Sequence, residues 1–430
     1  MEIRIGLVGL GTVGQGFLEL LERHHHFFSQ DLGFNFRLVA ASARHEASLK
    51  RVQGSDCLLT LDPLAVANHP DVDVFLELAG GEDNPKPWIE AALNSGKHVI
   101  TANKALLAKH GTELFPLAAQ HNRFLLFEAA VGGGIPIIKS LQEGLIGNDI
   151  EGLACIINGT CNYILTQMSR KKASFLDALA EAQRLGYAEA DPSFDVDGMD
   201  SLHKVSLLAS LCFGRYVDYR KLSVEGIRNI SALDIQMAEE MGFEVKLLGV
   251  VSQDQGRILA AVYPALLKRS HQLASVHGVL NGVYLKTSAA GPLLLTGAGA
   301  GKLPTASSVV SDLVTLARQL ATSHPKPPSM AFFSKSNAAD FLAIDEIETE
   351  FYLRLTTQDK PGVLSKITGI LGDAGISISA LNQKPDRDSD TVPIIILTHT
   401  AKNAQVSAAL KQIDKLDVIL EPTRVIRFYR

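Results

Sequence analysis

Cysteine is scarce: the 430 residues hold four, Cys57, Cys155, Cys161 and Cys212, and none forms a CxxC pair. That excludes a disulfide-stapled scaffold and fits reduced, mostly buried thiols in a cytoplasmic protein. Cys161 is read as structural, although it lies near a candidate site. An excess of basic charge is missing too. Lys and Arg number 41 against 46 Asp and Glu, a net charge of -5, which argues against nucleic acid as a partner. No apolar run is long enough to cross a bilayer, and the chain opens as a strand, so neither a membrane span nor a signal peptide is expected. What is present, 46% hydrophobic and 20% charged residues, is the composition of a soluble globular chain with room for two or three domains.

The run Ile3 to Val8 predicts a strand, and Gly9-Leu10-Gly11-Thr12-Val13-Gly14 follows it and opens a helix. GxGxxG in that context is a dinucleotide-binding loop: its glycines let backbone approach a pyrophosphate, and the helix start offers free N–H groups. The second strand, Arg37 to Ser42, ends without the acid that binds a ribose 2′-hydroxyl. Arg44 follows instead and favours a 2′-phosphate, hence NADP, although Glu46 is close by. Further strands are expected at 73–78, 97–101 and 123–128. Lys104 sits where the fourth strand passes into a helix, beyond a strand's carboxyl end, where such sheets place their ligands. Glu128 leads into Gly132-Gly133-Gly134, which reads either as an oxygen-ligand site for a hard cation or as a hinge. His24, His25 and His26 point in different directions and read as a solvated helix end.

The most chemistry-dense stretch runs from Gly186 to Lys204, with five carboxylates and a lysine. Met199, Leu202, Val205 and Leu208 have helical spacing, so Asp200 and Lys204 share one face. Spacing alone leaves two readings open: a tuned proton-transfer pair, or an ion pair on a solvated face, the commoner case. Asn158 to Asn162 is a cluster of small polar groups suited to a substrate or cofactor amide. A second glycine-rich loop, Gly297 to Ser307, feeds an apolar helix, Val309 to Leu320, expected to return to the first domain. The last eighty residues predict the order βαββαβ, a ferredoxin-like arrangement.

GLGTVG, TANKALLA, EAAVGGGIPII, NGTCNYIL, GYAEADPSFDVDGMDSLHK and GAGAGKLPTASSVVSDLV occur in this order across most of residues 1–325. In these motifs the chain resembles the homoserine dehydrogenases, and its DKPGVL turn and GISIS strand resemble an ACT domain. The resemblance implies an α/β fold: a Rossmann-type parallel sheet (1–135, with a returning helix at 305–325), an α+β substrate and dimerisation domain (136–304), a linker (326–349) and an ACT domain (350–430). It implies reversible NADP-dependent reduction of L-aspartate 4-semialdehyde to L-homoserine, with NAD as a possible substitute, in threonine, methionine and isoleucine biosynthesis.

By motif, Lys204 is implied as the acid/base, Asp200 as contacting it and the substrate, and Glu189, Asp195 and Lys104 as substrate-binding. Gly9, Gly11, Thr12, Val13, Gly14, Arg44, Lys104 and Gly301 are implied to hold the cofactor. Glu128 with Val131, Gly133 and Ile135 is implied to hold a monovalent cation, typically sodium. The chain departs from many members in having Arg44-His45-Glu46 where they carry a more basic run. An ACT domain implies a homodimer or homotetramer that takes L-threonine as effector, or a dimerisation module that has lost its ligand. No aspartate kinase domain is expected before the glycine loop. A non-catalytic amino-acid sensor with a dehydrogenase-like body is the alternative; the joint presence of Lys204, Asp200, Glu189 and the glycine loop speaks against it.

Overall fold

The structure is a computed structural model that describes residues 1–52, 56–383 and 391–430. The chain divides into two compact units, one of residues 1–159, 200–222 and 279–339, the other of residues 160–199, 223–278 and 340–430.

In the first unit β1 (Glu2–Val8), β2 (Asn35–Ser42), β3 (Leu58–Thr60), β4 (Val74–Glu77), β5 (His98–Thr101) and β6 (Leu125–Leu126) form a parallel sheet in the order β3-β2-β1-β4-β5-β6. This is the doubly wound order in which ligands lie beyond the strands' carboxyl ends. Its strands read as near-continuous apolar runs because both faces are covered: Ile3, Ile5, Leu7 and Val8 are all buried. The helix Lys302–Leu320 begins within the stretch read as loop up to Ser307, and it packs on the helix Thr12–Arg23. Val309, Leu313 and Leu316 join Phe17 and Leu20 in one core, each fully buried side chain contributing about 1.5–3 kcal/mol. The helices approach closely at Gly16, where a Cβ would fall 2.4 Å from the carbonyl oxygen of Lys302.

Two expectations need correction here. The strand foreseen at 123–128 is only Leu125–Leu126, and Glu128 instead opens the 3-10 turn Glu128–Ala130. The strands Leu280–Thr287 and Gly291–Ala298 were not foreseen; they form an antiparallel hairpin, with Leu280–Thr287 also pairing with Ile150–Ile156. The signal for Leu280–Thr287 is period-two alternation, with Val283, Leu285 and Thr287 buried between less buried Tyr284 and Lys286.

In the second unit the strand order is Phe243–Asp254, Arg257–Lys268, Ile419–Tyr429, Phe351–Gln358, Thr391–Thr398, Ile378–Gln383. The last four, with helices Val363–Asp373 and Asn403–Ile413, make the expected βαββαβ module around Ile367, Leu371, Ile394, Ile396 and Ile413. Its final strand pairs in parallel with Arg257–Lys268, so the module's sheet continues into its neighbour.

Candidate active site

The three glycines of the first loop are required for different reasons. Gly9 has φ +102°, and a Cβ there would fall 2.5 Å from the backbone nitrogen of Ala79. A Cβ on Gly14 would fall 2.0 Å from the carbonyl oxygen of Gly9. A Cβ on Gly11, by contrast, meets nothing within 4 Å. The fold needs Gly9 and Gly14, whereas Gly11 keeps a space clear at a helix start that has no side-chain cap. A pyrophosphate drawn to free N–H groups suits that space. Thr12 and Val13 form the helix's first turn, and Arg44 is exposed just past β2. Gly14→Ala is therefore expected to lower Tm by several degrees through a backbone clash. Gly11→Val should leave Tm within about 2 °C while raising the KM for cofactor at least about tenfold, a loss near 1.4 kcal/mol. Thermal melts and cofactor titrations of the two variants check this.

The helix Met199–Phe213 is buried on every side from Asp200 to Ser210, so the solvated-face reading of its ion pair does not hold. Lys204 Nζ lies 2.7 Å from Asp200 Oδ2 and donates to the Ile157 carbonyl at 2.8 Å. Asn158 Nδ2 donates to the same Asp200 oxygen at 2.8 Å, and Lys104 Nζ lies 3.1 Å from Asp200 Oδ1. Burial by itself would push the Asp200 carboxyl up; Lys204 and Lys104 outweigh it and hold the group well below the usual carboxylate range. Lys104 reaches Asp200 from the first position of the helix Lys104–Gln120, whose N-cap is Asn103. Sequence spacing had paired Asp200 with Lys204; the fold adds Lys104 and Asn158 to the same carboxylate.

Glu128 is buried and accepts from the backbone nitrogens of Ile138 at 2.9 Å and Lys139 at 2.8 Å. Burial, then the neighbouring Asp312, pushes its carboxyl up to about 7. Val131, Gly133 and Ile135 lie on the same short segment; the Gly133 carbonyl accepts from Ser308 Oγ at 2.6 Å, and the Ile135 carbonyl from Ile137 N at 2.8 Å. An oxygen donor set with a buried carboxylate is chemically suited to a hard cation. Among the described residues no cluster of three or more His, Cys, Asp or Glu is placed to hold a metal. Gly301, at φ +123°, caps the start of the helix Lys302–Leu320, a backbone region open only to glycine.

Within the second unit Glu189 is exposed, and Asp195 is half-buried in the helical turn Ser193–Val196. Cys161 is buried and donates through Sγ to the Asp195 carbonyl at 3.2 Å.

Sequence reasoning missed Asn281. It lies on the unforeseen hairpin, 1% exposed, and donates to the Ile157 carbonyl at 3.1 Å, the same oxygen that receives Lys204. A Cβ on Gly299 would fall 2.0 Å from its Nδ2, so the second glycine loop lies flat against this amide. A second missed group is Glu77 at the end of β4, fully buried, its carboxyl pushed up by burial. It accepts from Ala79 N, Gly80 N and Thr101 Oγ1, and Asn103 Nδ2 bonds the Gly81 carbonyl at 2.7 Å. These bonds tie the loop after β4 to the turn that presents Lys104.

Comparisons with known proteins agree along the chain's length. The family description "Homoserine dehydrogenase" matches residues 136–314, "Homoserine dehydrogenase, NAD binding domain" residues 9–128 and "ACT domain" residues 351–418. A homoserine dehydrogenase of Neisseria gonorrhoeae is 42% identical over 428 residues, 99% of this chain and 98% of that one. One from Bacillus subtilis is 36% identical over 97% of this chain and 96% of its own. The crystal structure of a homoserine dehydrogenase from Thiobacillus denitrificans superposes with a TM-score of 0.92 at 42% identity, covering 100% of this chain and 98% of that one. A hyperthermophilic archaeal homoserine dehydrogenase in complex with NADPH superposes with a TM-score of 0.64 at 28% identity, covering 76% of this chain and 100% of that one.

Proposed function

The chain belongs to the homoserine dehydrogenase family, an oxidoreductase family with a nicotinamide cofactor, and from that premise we propose how its residues interconvert L-aspartate 4-semialdehyde and L-homoserine. The bound nicotinamide supplies or accepts the hydride. Lys204 supplies the proton to the forming C4 alkoxide and takes it back in the reverse direction. One observation carries this reading: of the three donors of the Lys204 ammonium, Asp200 and Ile157 take two. The third is available for the substrate oxygen. Asp200 keeps the ammonium oriented and is shared with Lys104, whose charge stabilises oxygen-centred negative charge beside it. Glu189 and Asp195 are assigned to the substrate's α-ammonium by charge.

Gly9, Gly11 and Gly14 with the helix start at Thr12 and Val13 receive the pyrophosphate, and Gly301 brings backbone close to the nicotinamide. Arg44 favours the 2′-phosphate of NADP over NAD, a preference that accords with the NADPH complex of the archaeal relative. Glu128 with the carbonyls of Val131, Gly133 and Ile135 holds Na+. Sodium chloride should then raise Tm above the value in choline chloride at equal ionic strength, and Glu128→Gln should abolish the difference.

The ACT module is read as the site of feedback by L-threonine. A cavity of about 350 Å³ beside its Asp359-Lys360-Pro361-Gly362 turn supports this, with Gly362 at φ +85° capping the following helix. The protein is assigned to the cytoplasm as a homodimer or homotetramer. Among the described residues no helix is long and apolar enough to cross a membrane. The alternative of a non-catalytic sensor has no observation in its favour.

The test is initial-rate oxidation of L-homoserine with NADP and with NAD, each with and without L-threonine. Turnover that is faster with NADP and suppressed by threonine is expected. No turnover in folded protein would overturn the catalytic reading; turnover indifferent to threonine would overturn the effector reading alone.

A further inference from the structure

In the second unit one segment, Glu225 to Asp234, holds both the turn that carries Asp195 and the ACT module. Toward the turn the contact is backbone on backbone. A Cβ on Gly226 would fall 2.1 Å from the Val196 carbonyl oxygen and 2.5 Å from Asp197 Cα. Ile227 N donates to that carbonyl at 2.8 Å. Arg228 pairs with Asp197 and donates to Ser193 Oγ at 2.9 Å.

Toward the ACT module the grip is ionic. Arg427, buried on the last strand, holds both carboxylate oxygens of Glu225 at 2.9 Å. Its Nε donates to Asn403 at 3.0 Å, at the start of the helix Asn403–Ile413, and its guanidinium lies 5.1 Å from the Tyr263 ring centroid. Asp234 accepts from Arg354 Nε at 2.7 Å and Tyr352 OH at 2.9 Å, both on the module's first strand. Between the two grips lies a cavity of about 400 Å³ bordered by Glu225, Asn229, Asp234, Asn403 and Arg427.

We propose that Glu225–Arg228 is the positioning segment of the substrate turn, and that the Glu225–Arg427 pair transmits effector binding in the ACT module to that turn. The second half rests on the effector reading above. The two sides of the segment differ in compliance. Gly226 cannot move toward Val196, so the segment carries the turn with it. On the other side two ion-paired grips flank open space, so a shift of the last ACT strand is not absorbed by packing. A two-pronged arginine–carboxylate pair fixes angle as well as distance, so Glu225 follows Arg427. Glu225 itself is half-exposed and stands outside the catalytic cluster.

The experiment uses full-length Glu225→Ala, with Glu225→Gln as a milder second variant should the first fail to fold. The KM for L-homoserine is expected to change about fivefold with kcat within about twofold, and the threonine concentration for half-inhibition to rise about tenfold. Threonine binding read by calorimetry should stay near wild type. Hydrogen exchange at the Ile227 amide should quicken about tenfold, a readout that needs no effector. Wild-type KM, exchange and inhibition in a folded variant would overturn the proposal. If the wild-type protein binds no threonine, the effector reading falls and the transmission claim with it, while KM and exchange still decide whether the segment positions the turn.

Discussion

Lys204→Ala is expected to lower kcat for L-homoserine oxidation about 10³-fold, within the range a positioned general acid or base contributes. The loss should appear in both reaction directions, because one proton crosses one nitrogen either way. Binding of the nicotinamide cofactor should persist, since none of the glycines of its loop touches Lys204 in the described contacts. The fold should persist as well. Asp200 keeps Lys104 at 3.1 Å and Asn158 at 2.8 Å after the lysine is gone, so its buried charge is not left alone. Lys204→Met, which retains most of the volume, should melt nearer to wild type than the alanine variant and be equally slow. Steady-state kinetics with parallel melting curves checks both statements.

Asp200→Ala carries the second large effect, on rate and stability together. It removes the counter-ion shared by the buried Lys204 and the half-buried Lys104, and with it the oxygen that accepts from Asn158 Nδ2 at 2.8 Å. Breaking a buried pair by removing one partner costs about 3–5 kcal/mol. The rate should fall about 10²-fold or more, because the ammonium loses one of its two anchors. The pH dependence follows from the depressed carboxyl of Asp200. A carboxylate whose folded pKa lies below its unfolded value of about 4 contributes stability that is fully present above that pH. The contribution is lost only as pH falls toward the depressed native value. Wild type should therefore hold this increment down through pH 5, and Asp200→Asn should be less stable than wild type by a constant amount from pH 5 to 8. Chemical denaturation across that range reads it.

Much of the site was legible because its chemistry is written in local motifs. The glycine loop after β1 and the Asp200–Lys204 spacing each depend on a few adjacent residues and one element type. The βαββαβ module was legible from alternation and periodicity. What spacing left undecided was burial. The Met199–Phe213 pattern shows one apolar stripe, yet the helix is enclosed by other segments, and the ion pair changes from a solvated ornament to a buried centre.

Long-range partners were the least legible. Asn281 reaches the Ile157 carbonyl across 124 residues, and nothing near it in the chain marks it as more than a strand residue. Lys104 meets Asp200 only because β5 ends where the helix Lys104–Gln120 begins. Glu128 shows the opposite failure: its apolar run reads as strand, but the glycines that follow allow a turn two residues earlier.

The central claim, that Lys204 moves the proton, is tested most directly by amine rescue of Lys204→Ala. Turnover of L-homoserine should rise with added methylamine or ethylamine and should climb with the basicity of amines of similar size, because a free amine then does the work of the missing Nζ. Turnover in Lys204→Ala within about tenfold of wild type, and indifferent to added amine, would contradict the account and place the proton on another group.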